Sequence, residues 1–246
     1  MKNCTLSIII PSFHSYELDS ICIRSFEKFK PEWVSMKYII VENSDDKTYC
    51  EAIKALSDNI LWINNPTKLV GSEANAEAIQ KGIGFVETKF VFFCHCDVCV
   101  TSQNFFSDLI TEMGNNYMVG TVLDNMRIRA FHISGIMMRN EPILKTIDYY
   151  PKYKNRIQYL DVGDFLTEYC KNNNLPHYCH ANTFNGAIYD RDDKYCGFNV
   201  DKCIGSNGEI IYMHLGRGIP KTRNQYKNNN RVMFPEWREF CLEILK

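Results

Sequence analysis

Short apolar runs alternate with amphipathic segments over the first hundred residues, and this alternation limits the possible folds more than any other feature. Residues 6–10 form a β-branched run that Pro11 closes, and residues 16–29 carry apolar side chains at helical spacing. The pattern repeats, with predicted strands at 38–41, 60–63 and 90–94 and predicted helices at 48–56 and 73–82. Such alternation predicts parallel strands joined by right-handed helical crossovers. We therefore predict an α/β protein with a mostly parallel central sheet flanked by helices.

The second half of the chain is less regular. Its pattern predicts a strand near 130–138, a helix near 164–172 and a strand at 209–213 that ends at His214. Because no internal repeat or low-complexity linker interrupts the sequence, we predict a single domain over residues 1–246.

Composition and charge exclude several classes of protein. Among 246 residues, 45% are hydrophobic and 23% are charged, which is typical of a globular chain. The net charge of -1 gives the whole molecule no field that attracts nucleic acid or anionic membranes. No run approaches the roughly 18 apolar residues of a membrane span. The 11 cysteines are odd in number and follow no export signal, so we predict reduced thiols and a cytoplasmic protein.

Polar residues follow each predicted strand of the first half. In parallel α/β sheets, ligands bind beyond the carboxyl ends of the strands. We therefore expect one binding surface that contains Ser12, His14, Glu42, Asn43, Lys68, His95 and Asp97.

Four segments within about the first 110 residues carry a family resemblance. Residues 6–13 read LSIIIPSF, 39–48 read IIVENSDDKT, 65–75 read NPTKLVGSEAN and 92–98 read FFCHCDV. In this order they resemble the inverting GT-A glycosyltransferases of family 2. That family has a first strand ending in Pro-Ser, an acid after the second strand, an Asn-Pro to Ala-Asn run before a helix, and an Asp-x-Asp metal motif.

The resemblance implies a GT-A, Rossmann-like fold with a nucleotide-sugar-binding half at 1–110 and an acceptor-binding, catalytic half at 111–246. It further implies that a sugar passes from a nucleotide-diphosphate donor to a hydroxyl acceptor, in a single displacement with inversion. The acceptor would belong to a glycan, a glycolipid or a protein glycan. No nucleic acid partner and no membrane span are expected.

The same resemblance implies a set of donor-binding residues. A carboxylate at Glu42 can accept hydrogen bonds from the base or ribose, although such an acid also serves as a capping group. Lys68 can meet phosphate, and Gly71 permits close approach of the backbone or a positive φ. Gly71 and Asn75 also fit ordinary turn chemistry. The full set is Pro11, Ser12, Phe13, Glu42, Asn43, Lys68, Gly71, Asn75, His95 and Arg217.

A divalent metal, Mn2+ or Mg2+, is implied at Asp97, with His95 and His214 as further ligands. The metal would neutralise the charge that develops on the departing diphosphate. Here His95 replaces the first acid of the family motif, and imidazole favours Mn2+ over Mg2+. A zinc site is an alternative interpretation, and its ligands would be Cys94, His95, Cys96 and Cys99.

The acceptor side should supply a general base. The resemblance implies Asp161 as the first choice and Asp164 as the second, and at least one of them is expected only to cap a helix. Behind His214, the cations Arg217, Lys221 and Arg223 could close over the diphosphate; the tail from 217 to 246 has seven Lys or Arg against three Glu. Aromatic residues that could stack on an acceptor sugar are Tyr149, Tyr150, Tyr153 and Tyr159.

Two other functions remain open from the sequence. A sugar nucleotidyltransferase should carry a Gly-rich, Arg-containing loop after its first strand, and residues 11–15 contain neither residue. A non-catalytic protein that binds nucleotide or glycan is compatible with the replacement at His95. His177, Cys179 and His180 look like a metal-binding fragment but are expected to form a strand near the same surface.

Overall fold

The computed structural model describes residues 4–124, 128–183, 200–216 and 234–246. The helices in these ranges are α1 (Tyr16–Phe29), α2 (Cys50–Lys54), α3 (Gly71–Gly82), α4 (Asn104–Asn115), α5 (Asp164–Asn172) and α6 (Phe234–Ile244). The strands are β1 (Cys4–Ser12), β2 (Val34–Glu42), β3 (Ile60–Asn64), β4 (Phe90–Cys94), β5 (Val98–Val100), β6 (Met118–Gly120), β7 (Gly135–Arg139), β8 (Lys152–Lys154), β9 (Ile157–Leu160), β10 (His177–Cys179), β11 (Ala181–Asn182), β12 (Asp201–Ile204) and β13 (Ile210–His214).

The larger sheet has seven strands in the order β10-β6-β7-β4-β1-β2-β3. Parallel pairing joins β1 to β2 and β4, β2 to β3, and β6 to β10. β7 alone runs antiparallel to its neighbours, β4 and β6. The predicted architecture, a mostly parallel sheet flanked by helices, is confirmed.

The apolar strands of the first half are buried on both faces. In β1, Ile8 and Ile10 belong to one hydrophobic cluster, which also contains Phe92 of β4. Ile9 points to the opposite face and packs in a second cluster with Phe93. Successive side chains of a strand alternate between faces, so a sheet covered by helices on both sides needs continuous apolar runs.

The helix predicted at 16–29 is α1, with the same bounds. Its Phe26 is fully buried and meets Phe92 edge-to-face, with ring centroids 5.8 Å apart. Burial of a phenylalanine of this kind contributes about 1.5–3 kcal/mol. The helix predicted at 48–56 is shorter, because Asp46 Oδ1 accepts the backbone N–H of Thr48 in a local turn before α2.

The strand predicted near 130–138 begins only at Gly135. Before it, the backbone N–H of Phe131 donates to Thr167 Oγ1 of α5 at 2.9 Å rather than to a continuous strand partner. Gly135 lies tightly against Thr121, the residue after β6, because a Cβ at position 135 would lie 1.8 Å from Thr121 Oγ1. His132 is therefore in a loop, directly before the strand.

A second, antiparallel sheet with the order β11-β12-β13-β5 packs beside the first and was not predicted. Its Tyr212 joins the same hydrophobic cluster as Phe92 of the larger sheet. In β13, His214 pairs with Val98 of β5 on one side and with Asp201 of β12 on the other. In the described ranges, no helix combines the length and hydrophobicity needed to cross a bilayer.

Candidate active site

The loops that follow β1, β2 and β3 meet at one edge of the central sheet, since these strands are parallel and in register. Ser12, Glu42 and Asn64 end the three strands side by side. Beyond them, the N–H of Asn43 donates to the Ser12 carbonyl at 2.9 Å, and the N–H of Asn65 donates to the Glu42 carbonyl at 2.8 Å. The polar residues at the ends of these three strands therefore lie side by side at one edge of the sheet.

Three potential metal ligands come together at this edge. His95 and Asp97 follow β4, and His214 arrives from β13, where the Leu215 N–H donates to the Asp97 carbonyl at 2.9 Å. Asp97 Oδ1 lies 3.5 Å from His214 Nε2 and 3.9 Å from His95 Nδ1. One ligand atom from each residue lies within 4.8 Å of the other two. Asp97 and His214 are buried, whereas His95 is partly exposed.

A carboxylate behind His214 fixes the orientation of its ring. His214 Nδ1 lies 2.9 Å from Asp201 Oδ2, so Nδ1–H donates to that carboxylate. Nε2, on the other side of the buried ring, then faces Asp97 Oδ1 and is the nitrogen that could bind a metal. Metal-binding histidines in proteins are commonly held by a carboxylate in this way. Burial lowers the pKa of His214, but Asp97 and Asp201 outweigh it and raise that pKa to about 10.

His95 is held by Asn75 of α3. The Asn75 side-chain nitrogen lies 2.8 Å from His95 Nε2, and Oδ1 of the same amide is buried without a hydrogen-bond partner. Rotating the amide by 180° would let Oδ1 accept from Nε2–H, which satisfies the buried oxygen and leaves Nδ1 as the ligand atom beside Asp97. Two imidazoles and one carboxylate fit a transition ion such as Mn2+ better than they fit Mg2+.

A third histidine, His132, borders the cluster and was missed in the sequence. Its ring centroid lies 5.2 Å from that of His214 and 5.7 Å from that of His95. The Ser134 N–H donates to His132 Nδ1 at 3.3 Å. Burial, reinforced by the charge of His214, lowers the pKa of His132 to about 4. The antiparallel pairing of Cys94 with Gly135 explains this proximity, because residues just before β7 must lie beside residues just after β4.

The two candidate bases lie at the start of α5 and make different contacts. Asp164 is buried and its Oδ2 accepts the Asp161 N–H at 2.8 Å, so it stabilises the turn before α5. The expected helix cap is not found, because no side chain caps the start of α5. Asp161 is partly exposed, and its Oδ1 accepts the N–H of Val162. The negative charge of Asp161 also acts on His132, where it raises the pKa against the effect of burial. Asp161 therefore interacts electrostatically with His132.

Three predicted donor-binding side chains tie the loops together. Ser12 Oγ donates to Asp19 Oδ2 of α1 at 2.6 Å. The Asn43 amide donates to the Ala74 carbonyl at 2.9 Å and accepts from Asn65 at 2.8 Å. Glu42 Oε1 accepts the N–H groups of Ser44 and His14, at 2.9 and 3.3 Å. These contacts connect the loops at this edge of the sheet to one another and to α1 and α3.

The other predicted donor-binding residues are more open, with one exception. Phe13 and Lys68 are exposed, whereas Pro11 is buried. Gly71 has a φ of +57°, and no atom lies within 4 Å of the place that a Cβ would take, so the backbone at the start of α3 is open to a ligand. Arg217, Lys221 and Arg223 lie outside the described residues.

The cysteine-based zinc interpretation is not supported in the described part of the chain. Cys94, Cys96 and Cys99 are buried in the hydrophobic cluster below the sheet edge, and the ligand group around His95 contains no thiol. His177 and Cys179 lie on β10, the far edge strand of the larger sheet, and His180 directly follows it.

Tyr149 is ruled out as a surface for stacking an acceptor sugar. Its side chain is fully buried, and its hydroxyl donates to the Leu144 carbonyl at 3.0 Å. Tyr153 and Tyr159 are exposed on β8 and β9, and Tyr150 is partly exposed.

Comparisons with known proteins concern the fold. No protein-family model matches the chain, and no curated protein sequence matches it. The galactosyltransferase LgtC, solved in complex with donor and acceptor sugar analogs, superposes with a TM-score of 0.60 at 13% identity, over 97% of this chain and 95% of LgtC. The glycosyltransferase GlyE of Streptococcus pneumoniae TIGR4 superposes with a TM-score of 0.58 at 13% identity, over 100% of this chain and 60% of GlyE.

A third match is the mannosyltransferase PcManGT from Pyrobaculum calidifontis, solved with GDP-Man and Mn2+. Its TM-score is 0.45 at 10% identity, over 56% of this chain and 45% of PcManGT. The aligned part thus spans less than half of that protein, whereas it spans nearly all of LgtC. The chain has a GT-A-like glycosyltransferase fold.

Proposed function

We propose that this protein is a glycosyltransferase that moves a sugar from a nucleotide-diphosphate donor to a hydroxyl acceptor. One observation carries the proposal: His95, Asp97 and His214 converge at the ligand-binding edge of a GT-A-like sheet. The whole-length likeness to LgtC, which was solved with donor and acceptor sugar analogs, supports this class of substrates. Division into a donor half at 1–110 and an acceptor half at 111–246 is part of the proposal.

His95 Nδ1, Asp97 and His214 Nε2 would hold a divalent cation, for which we propose Mn2+. When bound, such an ion neutralises the charge that develops on the diphosphate leaving group. The position of His214 Nε2, buried and 3.5 Å from Asp97 Oδ1, supports the assignment, because one cation could contact both atoms. Asp201 and Asn75 hold the two rings so that these nitrogens face Asp97.

Asp161 is the proposed general base. Its carboxylate would take the proton of the acceptor hydroxyl while that oxygen forms a bond to the anomeric carbon. The bond from the anomeric carbon to the diphosphate breaks, and its electron pair leaves with the diphosphate. Displacement in one step inverts the anomeric configuration. Asp164 stabilises the turn before α5 through its bond with the Asp161 N–H, and it has no proposed chemical step.

Glu42, Phe13, Lys68 and the open backbone at Gly71 surround the proposed donor side of the cleft. Ser12 and Asn43 position the loops on this side through their hydrogen bonds with α1 and α3.

All ten cysteines in the described ranges are free, which supports a reducing location such as the cytoplasm.

The experiment is a turnover screen with UDP-, GDP- and dTDP-sugars in the presence of Mn2+, followed by proton NMR. A transferase releases the nucleoside diphosphate from one donor, and the anomeric signal of the product reports inversion directly. Asp97→Asn keeps the shape of the side chain but removes its charge and should abolish release. Asp58→Asn changes an exposed acid beyond α2 and should not affect release.

A non-catalytic binding protein is the second candidate, because His95 stands where the family motif has an acid. Metal-dependent nucleotide binding without release from any donor would favour it. Release of the nucleoside diphosphate together with a product of retained anomeric configuration would support a transferase but would contradict the proposed single displacement.

A further inference from the structure

The hairpin formed by β8 and β9 concentrates exposed apolar side chains. Ile157 is 71% exposed, Tyr153 is 54% exposed and Tyr159 is 46% exposed. They are three of the eight large hydrophobic side chains that are exposed in the described part of the chain, all within residues 152–160. Isolated exposed hydrophobic residues are common, but a cluster of this kind marks an interaction surface.

One face of the hairpin is anchored and the other is free. Leu160 is buried, which ties its side of β9 to the protein. In the regular part of the hairpin Ile157 alternates with Gln158, so these two side chains lie on opposite faces; the register is irregular at Tyr159. Lys154 pairs with Ile157 across the hairpin and shares that free face.

The tip of the hairpin is positively charged. Asn155 and Arg156 have φ values of +50° and +65°, as in a tight two-residue turn of type I′. Such turns favour glycine at the second position, but here arginine occupies it. No acid occurs between Tyr149 and Leu160. Lys152 pairs with Asp148, whereas Lys154 and Arg156 are exposed and form no ion pair with any described residue.

We propose that this hairpin docks onto an anionic phospholipid bilayer. Lysine and arginine bind anionic headgroups, tyrosine prefers the boundary between headgroups and acyl chains, and an exposed isoleucine gains free energy by entering that boundary. A specific protein interface buries about 1,200–2,000 Å² in total, more than one face of so short a hairpin offers. The attraction is local, since the net charge of the whole chain is -1.

The hairpin directly precedes the proposed general base in the sequence. β9 ends at Leu160, and the next residue is Asp161, the proposed base. A bilayer that holds the hairpin would therefore lie beside the acceptor side of the cleft and present acceptors embedded in it. This consequence rests on the proposed function, whereas the docking itself does not.

The test is cosedimentation of the full chain with two kinds of vesicle, phosphatidylcholine alone and phosphatidylcholine with phosphatidylglycerol in equal parts. The native protein should sediment with the anionic vesicles only, and added salt should release it. The double variant Lys154→Gln/Arg156→Asn should bind at least about 25-fold more weakly, because each surface cation contributes about five-fold. Asparagine accepts the positive φ of position 156, so the turn is kept.

A matched control, Lys28→Gln/Lys89→Gln, removes two exposed lysines that are not part of the hairpin, one in α1 and one directly before β4. It should bind like the native protein. Ile157→Ser should also weaken binding to anionic vesicles at low salt, because it removes the apolar side chain that enters the bilayer boundary. The docking is overturned if the native protein ignores anionic vesicles, if it binds neutral vesicles equally, or if the double variant and the control bind alike. The assay does not measure donor turnover. A negative result would therefore contradict the docking and would not bear on the proposed transferase activity.

Discussion

Asp201 and His214 form a hydrogen-bonded pair of 2.9 Å between neighbouring strands of the small sheet, and Nε2 on the far side of the same ring lies 3.5 Å from Asp97. The pairing of β12 with β13 sets the two residues opposite each other. Asp201 therefore decides which nitrogen of His214 is available as a ligand. This line of carboxylate, imidazole and carboxylate is the structural core of the proposed metal site.

Replacing Asp201 tests that role. Asp201→Ala should weaken Mn2+ binding by about 10–100-fold, because loss of a carboxylate behind a ligating histidine has effects of this size. Asp201→Asn should weaken binding less, since an amide oxygen still accepts from Nδ1–H. The affinity can be measured from the free Mn2+ signal in electron paramagnetic resonance, with Asp58→Asn as the control. Equal affinities for the native protein and Asp201→Ala would exclude the positioning role.

Binding of Mn2+ should depend on pH. In the metal-free protein Asp97 and Asp201 raise the pKa of His214 to about 10 despite its burial, so near neutral pH the ring holds a proton that the metal must displace. Affinity should therefore rise with pH below about 10, and each bound Mn2+ should release close to one proton. Titration calorimetry in buffers of different ionisation enthalpy measures this number. Binding without proton release would show that His214 is not a ligand.

Ser12 should matter for stability rather than for the nucleotide. Its hydroxyl is buried and donates to the Asp19 carboxylate at 2.6 Å. Ser12→Ala should lower the free energy of unfolding by about 1.5–3 kcal/mol, the usual range for a hydrogen bond to a charged group. Urea denaturation measures the loss, and the affinity for nucleoside diphosphate should stay unchanged once the variant is folded. A stable variant with weakened nucleotide binding would instead make Ser12 a ligand contact.

Substitution of Gly71 tests whether the left-handed backbone conformation at the start of α3 is required. With φ at +57° and open space around the Cβ position, Gly71→Ala should be destabilising by about 1–2 kcal/mol through the backbone alone. Gly84→Ala is the matched control, because its surroundings are equally open and its φ is not in the left-handed region. Chemical denaturation of both variants compares the two effects. Equal stabilities would mean that the left-handed conformation at residue 71 is not required.

The sequence predicted the first half of this fold well, because buried parallel strands and amphipathic helices have strong local patterns. The helix at 16–29 and the strand at 90–94 were predicted with the bounds that they have. The second half is built from strands of two to five residues, too short for a periodic signal. The antiparallel insertion of β7 and the small sheet depend on long-range pairing.

The site residues, too, could be predicted only where a local sequence pattern marks them. Asp97, His95 and His214 were predicted because each ends or follows a recognisable strand. His132 was assigned to a strand that actually begins three residues later, at Gly135. Asp201 gave no local signal, because only its pairing with His214 in β13 brings it to the site. Conversely, the predicted donor residues Ser12 and Asn43 turned out to have their side-chain groups engaged within the protein.

The most direct test of the central claim is a thermal-shift measurement with UDP, GDP, dTDP and CMP, each with and without Mn2+, on the native protein and on Asp97→Asn. A ligand at 100 times its Kd stabilises the native state by about 2.7 kcal/mol, which is readily detected as a rise in Tm. We predict a rise with one nucleoside diphosphate that requires Mn2+ and disappears in Asp97→Asn. No rise with any nucleotide, or the same rise in Asp97→Asn, would contradict a metal-assisted donor site at His95, Asp97 and His214.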